Sequence, residues 1–169
     1  KNYKSFRDDT ILDLTATKIS DFNGHVVSIA NERVLPVAAI FGANASGKSN
    51  VQEAFRYMTM YVIESLEYGD EADSKKKKTK FFKPTPFLFD NDSKNAETTF
   101  EVYFIDSEDS GAKTYNYGFS VNSSGVCEEW LNSKSKSSRG VYKKIFHRHG
   151  NNIDMPGIPT KSQENIRIA

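Results

Sequence analysis

The alternation of apolar and polar residues along the chain predicts one helix and a series of strands. Residues 34–41 are almost continuously apolar, which predicts a buried strand. Across residues 50–66 the apolar side chains recur at intervals of three and four residues, as on one face of an amphipathic helix. This apolar stripe consists of Val51, Ala54, Phe55, Met58, Val62 and Leu66. A strand, a loop and a helix are therefore expected in this order.

The second half of the chain follows a period of two residues, which is typical of strands. Residues 98–105, 115–121 and 126–131 are separated by short turns rich in Ser, Gly, Asp and Asn. Strands joined by such short turns pair with their neighbours in sequence, so we predict an antiparallel meander. Further strands are predicted over residues 11–15, 26–29 and 141–146.

The loop between the predicted strand and helix, Gly42-Ala-Asn-Ala-Ser-Gly-Lys-Ser49, fits the Walker A pattern G-x-x-x-x-G-K-[ST] at every fixed position. Its glycines let backbone N–H groups turn inward around phosphate oxygens, and the helix N-terminus adds further donors. Lys48 is expected to reach the β and γ phosphates, and the Ser49 hydroxyl to ligate magnesium. The predicted nucleotide-binding residues are Gly42, Ala43, Asn44, Ala45, Ser46, Gly47, Lys48, Ser49 and Asn50, with Lys48 in the catalytic role.

The expected ligands are ATP and Mg²⁺. GTP is disfavoured because the chain contains no Asn-Lys-x-Asp motif for guanine. The fold class that follows is α/β: a P-loop NTPase lobe of strand, Walker A loop and helix, with an attached antiparallel β-sheet.

The chain divides by composition into two regions and two loops. We assign a P-loop core to residues 1–68 and an antiparallel β region to residues 81–153. Residues 69–80 carry blocks of acidic and then basic charge, and residues 132–140 are rich in Ser and Lys, so both segments are predicted to be flexible loops.

Composition restricts the class of protein further. The 169 residues suit one domain or one lobe of a larger one, and 12 Phe and 8 Tyr supply large units of burial. The net charge of +1 provides no overall field towards nucleic acid or membrane, and no apolar run is long enough to span a bilayer. The single cysteine, Cys127, excludes an internal disulfide and fits a reducing cytoplasm, with buried packing as its expected role.

Four segments together resemble a known family. They are Asn2-Tyr-Lys-Ser-Phe6, the loop from Phe41 to Asn50, Pro86-Phe-Leu-Phe-Asp90, and residues 115–119 followed by Glu128-Glu-Trp-Leu131. The opening and the loop resemble the start of ABC-type ATPase heads of the structural-maintenance-of-chromosomes and RecF-like kind. The whole set resembles more closely the bacterial AAA-labelled ATP-binding proteins of abortive-infection and other phage-defence systems.

This resemblance implies that residues 1–169 are the N-terminal lobe of a single, incomplete ATPase domain. The Walker B aspartate, signature motif and catalytic glutamate would then come from a C-terminal lobe, and a second head in a homodimer would complete the site. The full-length protein would hydrolyse ATP, while this lobe alone would bind it without efficient turnover. The resemblance also places Lys4, Ser5 and Phe6 near the base, and Gln163 near the junction of the lobes.

An alternative hypothesis is a self-contained small P-loop NTPase or kinase. The apolar run over residues 102–105 ends in Asp106, with Glu108 nearby, and could be a Walker B strand that supplies the magnesium aspartate. A buried parallel strand would be apolar throughout, whereas Glu101 interrupts this one and a turn follows it. The pattern therefore favours a hairpin.

A third hypothesis is a nucleic-acid-binding module. The basic cluster Lys75, Lys76, Lys77, Lys78 and Lys80 could contact DNA or RNA phosphates, although a charge run of this kind is more typical of a solvated loop.

His147 and His149 are spaced as neighbours on one strand face, but the sequence places no third metal ligand beside them.

Overall fold

The computed structural model of the chain describes residues 1–19, 21–29, 32–67, 83–106, 111–135 and 140–158. Side chains are described within these ranges except for residues 65–67. The helices are α1 (Lys48–Glu67) and the short α2 (Asn91–Asn95), and a 3-10 turn covers Asn23–His25. The strands are β1 (Val27–Ile29), β2 (Glu32–Val34), β3 (Thr98–Asp106), β4 (Lys113–Asn122), β5 (Gly125–Ser135), β6 (Lys143–His149) and β7 (Asn152–Asp154).

The predicted antiparallel meander is confirmed. The strands β3 to β7 form one five-stranded sheet in sequence order, and every neighbouring pair is antiparallel. The observed β5 extends through Ser135, so it includes residues 132–135 of the segment predicted to be a flexible loop. Those residues pair with β4 and β6, which supplies partners for their backbone groups despite a polar composition.

The core lies where α1 packs on one face of this sheet. The ring of Tyr57 stacks on Phe100 of β3 with a centroid distance of 4.9 Å, and Tyr61 stacks on Phe119 of β4 at 4.5 Å. Tyr3 completes the cluster, with its ring 5.2 Å from that of Phe100. The predicted helix is therefore confirmed, and its aromatic residues at a spacing of four attach it to the sheet.

The buried strand predicted over residues 34–41 is not observed. Val34 ends β2, and no strand pairs with residues 37–41 within the part of the chain that the structure describes. Their side chains are largely open to solvent, with Val37 77% and Phe41 90% exposed. An apolar sequence becomes a buried strand only when neighbouring strands cover it and pair with its backbone, and the described residues supply none here.

The opening segment also departs from the prediction. Residues 11–14 form no strand and Ile11 is 85% exposed. Residues 3 and 6 face each other across a tight turn as an isolated bridge, and Thr15 makes another with Val34. The turn closes through backbone bonds from Tyr3 N to Phe6 O and from Phe6 N to Tyr3 O, both 2.8 Å.

The short helix α2 was not predicted. Asp90 caps it by accepting hydrogen bonds from the Asp92 backbone N–H at 3.2 Å and the Ser93 hydroxyl at 2.9 Å. An aspartate followed by small polar residues is a helix-start signal, but five residues are too few to show helical periodicity. Neither α1 nor α2 has the length and apolar character needed to cross a membrane.

Candidate functional site

The Walker A segment forms an exposed loop that leads directly into α1. Residues 42–46 are open to solvent, and helical structure begins at Lys48. The Ser46 N–H donates to Ala43 O at 3.3 Å, and the Asn50 N–H donates to Gly47 O at 2.9 Å. The loop is therefore held by bonds within itself, and it places the N-terminal end of a 20-residue helix at the surface.

Positive φ angles shape the loop. Ala45 has φ 64° and Gly47 has φ 92°. The second value is one that side chains rarely adopt, so glycine is required at position 47 by its backbone. At Gly42 a Cβ would stand 2.8 Å from Ser46 Oγ, a contact that rotation of the Ser46 side chain can relieve.

Lys48 folds back over the loop. Its Nζ donates to Gly42 O at 2.8 Å and to Ala43 O at 2.6 Å. An ammonium group has three N–H donors, so these two contacts leave one that can point towards a ligand. The first turn of α1 contains no acidic residue, so the positive end of the helix dipole and the Lys48 charge act together there.

The tight turn at residues 3–6, which we call the N-terminal turn, lies against this loop. The Asn50 side-chain amide donates to Ser5 Oγ at 2.8 Å, although the two residues are 45 positions apart. Lys4 forms an ion pair with Glu53, one turn further along α1. Of the three residues predicted to lie by the base, Ser5 thus contacts the loop itself and Lys4 contacts the helix, while Phe6 takes part in closing the turn.

Asn2 anchors the N-terminal turn to the sheet. It is almost fully buried and has φ 52°, a conformation that asparagine tolerates better than most residues. Its side-chain amide donates to the carbonyls of Ser93, Ala96 and Glu97, and its Oδ1 accepts from the Phe87 N–H at 3.0 Å. The sequence indicated no such role, because it depends on residues more than eighty positions away.

Asp106 lies at the end of β3, where it pairs in register with Lys113 of β4. The strand β3 is at the edge of an antiparallel sheet and has no strand from the Walker A segment beside it in the described chain. The hairpin prediction is therefore confirmed. A Walker B strand would lie parallel to the strand before the loop, and β3 does not.

The remaining candidate side chains are arranged as follows. His147 of β6 lies diagonally across from Glu128 of β5, with 2.7 Å between Nε2 and Oε1. Among the described residues, no group of three or more His, Cys, Asp or Glu could hold a metal ion.

Burial, with a smaller contribution from Glu97, raises the pKa of the Cys127 thiol, which lowers the thiolate fraction that a nucleophile needs.

Several predicted features lie outside the described residues. They are the basic cluster Lys75, Lys76, Lys77, Lys78 and Lys80, the loop over 69–80, residues 136–139 of the second loop, Glu108 and Gln163.

Comparison with protein-family models matches residues 37–155 to the AAA-domain family whose description names the AbiEii toxin of type IV toxin–antitoxin systems. The chain belongs to this family. The expected relationship to AAA-labelled abortive-infection ATPases is thereby confirmed, and AAA membership implies a P-loop NTPase fold and nucleotide-binding ATPase activity. The matched range includes the Walker A loop, α1 and the meander, whereas the N-terminal turn precedes it. No curated protein and no solved structure matches the chain.

Proposed function

We propose that this chain is the ATP-binding lobe of an ATPase and that residues 42–50 hold the nucleotide. The observation that carries the proposal is the exposed Walker A loop at the start of α1, with Lys48 Nζ placed over it. Phosphate oxygens would accept from backbone N–H groups of the loop and of the first helical turn. The absence of an acidic residue from that turn leaves its positive potential uncompensated.

Lys48 neutralises charge on the β and γ phosphates in this proposal. Its two bonds to Gly42 O and Ala43 O fix the ammonium group at the mouth of the loop. Its third N–H would donate to a phosphate oxygen. A fixed cation stabilises charge that develops during phosphoryl transfer without having to reorganise. Lys48 is accordingly the residue that contributes most to both affinity and catalysis.

Ser49 is the residue of this chain that would hold magnesium. Its exposed hydroxyl lies in the first turn of α1, next to Lys48. Mg²⁺ prefers six oxygen ligands and keeps several waters, so one protein hydroxyl with phosphate oxygens and water makes a chemically suitable set. Held there, the ion would neutralise negative charge on the phosphates.

A second lobe is proposed because two apolar surfaces are exposed in the described structure, one next to the loop and one along α1. One is the extended segment over residues 37–41. The other is the outer face of α1, where Phe55, Val62 and Ile63 are 51%, 36% and 53% exposed. Parallel strands from a C-terminal lobe would pair with the first surface, pack on the second and bring a Walker B aspartate and a catalytic glutamate to the nucleotide.

Hydrolysis would follow engagement of two such heads, each supplying its signature motif across the γ phosphate bound by the other. We propose that this homodimer acts in the cytoplasm, in a defence or repair system, and the defence role is supported by the family description, which names the AbiEii toxin of type IV toxin–antitoxin systems. Hydrolysis would then release the two heads.

The test of the proposed function is ATP binding by the chain in the presence of Mg²⁺, measured by calorimetry. Lys48→Ala removes a charged donor and is expected to weaken binding by about 10- to 100-fold, the range for a hydrogen bond to a charged group. Lys143→Ala changes an exposed lysine on β6 and serves as the matched control, with wild-type affinity expected. Equal affinities for Lys48→Ala and the wild type would refute the proposal.

A further inference from the structure

The N-terminal turn meets the Walker A loop through the side chain of Ser5. Ser5 Oγ accepts the hydrogen bond from the Asn50 side chain at 2.8 Å. It also lies against Gly47, where a Cβ would stand 2.6 Å from Ser5 Oγ and 3.4 Å from Ser5 Cβ. Gly47 and Asn50 flank Lys48 and Ser49, so Ser5 contacts the loop on both sides of the two residues that the phosphate chemistry requires.

Contacts of the neighbouring residues Tyr3 and Lys4 hold Ser5 in this position. Lys4 has φ 48°, which turns the chain sharply so that Ser5 is presented at the tip. The Lys4 N–H donates to Thr85 O at 2.9 Å, the Tyr3 hydroxyl donates to Glu53 O at 3.4 Å, and the Lys4 side chain pairs with Glu53. These contacts connect the turn to α1 and to the segment that precedes α2.

The ion pair between Lys4 and Glu53 has an electrostatic consequence as well. Glu53 is the first acidic residue of α1, and its carboxylate would oppose the binding of an anion at the helix start. Lys4 pairs with that carboxylate from outside the helix. The N-terminal turn thus supports the loop by geometry through Ser5 and by charge through Lys4.

We propose that Ser5 is a positioning residue for the nucleotide, acting on the phosphates through Gly47 and Asn50 rather than through the base. The inference rests on the proposed function. By fixing the Asn50 side chain and the backbone at Gly47, Ser5 keeps the N–H groups of the loop aligned before ATP arrives, which lowers the ordering cost of binding. Ser5 is itself exposed, so it contributes little to the stability of the fold.

The experiment compares ATP affinity for the wild-type chain, Ser5→Ala, Ser5→Thr and the control Ser123→Ala, an exposed serine in the turn between β4 and β5. Loss of one neutral hydrogen bond is expected to weaken ATP binding by about fivefold in Ser5→Ala. The threonine keeps the hydroxyl and restores binding. The midpoint of thermal unfolding stays within about 1 °C in all variants, whereas loss of a structural bond of about 1 kcal/mol would lower it by about 2–4 °C in a chain of this size.

Two further measurements separate the mechanisms. Asn50→Ala combined with Ser5→Ala should weaken ATP no more than Asn50→Ala alone, because both remove the same bond. Tripolyphosphate, which has no base, should lose affinity in Ser5→Ala by the same factor as ATP. Additive losses in the double variant, or a loss for ATP without one for tripolyphosphate, would overturn the positioning role.

The two proposals fail differently. If the wild-type chain does not bind ATP, the proposed function is wrong and this inference falls with it. If the wild type binds ATP and Lys48→Ala does not, while Ser5→Ala binds as the wild type does, the positioning role of Ser5 alone is refuted.

Discussion

Gly118 occupies a position of the sheet where no larger residue fits without displacing its neighbours. It lies opposite Trp130 in the pairing of β4 with β5, and the indole ring covers it. A Cβ at this position would stand 2.3 Å from Trp130 Cζ2 and 2.9 Å from the Phe100 carbonyl oxygen. The Trp130 ring occupies the space that a side chain at position 118 would need, so any residue larger than glycine would overpack this part of the sheet.

We expect Gly118→Ala to lower the free energy of unfolding by about 2 kcal/mol, because the methyl group must displace an aromatic ring and a backbone carbonyl. Urea unfolding followed by tryptophan fluorescence would measure the change. Gly24→Ala is the matched control, since a Cβ there meets nothing within 4 Å, and its effect should stay within about 0.5 kcal/mol. Similar stabilities for the two variants would show that Trp130 moves aside freely.

The role of a residue could be predicted from the sequence only where a local motif indicated it. The Walker A pattern marked Gly42, Gly47 and Lys48 without any structure, because the motif lies within eight consecutive residues. The anchoring role of Asn2 and the contact of Ser5 with Asn50 had no such signal. Both depend on hydrogen bonds between distant parts of the chain, and a short polar side chain looks the same in the sequence whether or not it makes them.

At the scale of elements, α1 has two unlike faces. Its inner face carries Tyr57, which is almost fully buried and stacks on Phe100. Its outer face carries Phe55, Val62 and Ile63, all of them apolar and at least one third exposed. The helical periodicity predicted the element but not this asymmetry, because Phe55 and Val62 belong to the same predicted stripe as Ala54 and Met58.

Two alanine substitutions on α1 distinguish these faces. Tyr57→Ala removes a ring from the core and is expected to cost about 3 kcal/mol, whereas Phe55→Ala should cost less than about 1 kcal/mol because half of its ring is already in water. Chemical unfolding of the isolated chain is the measurement. An equal loss for Phe55→Ala would mean that the outer face is packed against something in solution.

The strands were predicted more completely than the segment before the loop. Alternation identified β3, β4 and β5, and short turns fixed their antiparallel order. Residues 34–41 were predicted as a buried strand from a continuous apolar run, yet residues 37–41 are exposed and unpaired in the described structure. The difference is that a hairpin brings its own partner within a few residues, whereas a buried central strand needs partners from elsewhere in the sequence.

At the scale of the whole molecule, the meander and α1 together hold the Walker A loop at the surface. Among the described residues, no parallel strand places an acidic side chain next to this loop. Asp106, the strongest candidate for that role in the sequence, is in an edge hairpin. The arrangement therefore favours nucleotide binding over complete catalysis by this chain.

We expect the chain alone to bind ATP and to hydrolyse it more slowly than about one turnover per minute, well below the usual range of enzymes. Asp106→Asn should leave that residual rate unchanged, since Asp106 does not hold magnesium in the proposed site. A steady-state phosphate-release assay with Mg²⁺ measures both. Turnover at several per minute that disappears in Asp106→Asn would instead support the self-contained NTPase.

The sequence by itself determined the features that arise from local pattern. These are the amphipathic helix, the alternating strands of the meander and the glycine-lysine loop, each encoded by periodicity or spacing over fewer than twenty residues. Tertiary structure alone decided that residues 37–41 stay uncovered, that β3 is an edge strand, and that Ser5 reaches the loop. The physical reason is that pairing and burial depend on what lies opposite in space, and neighbours in sequence do not specify it.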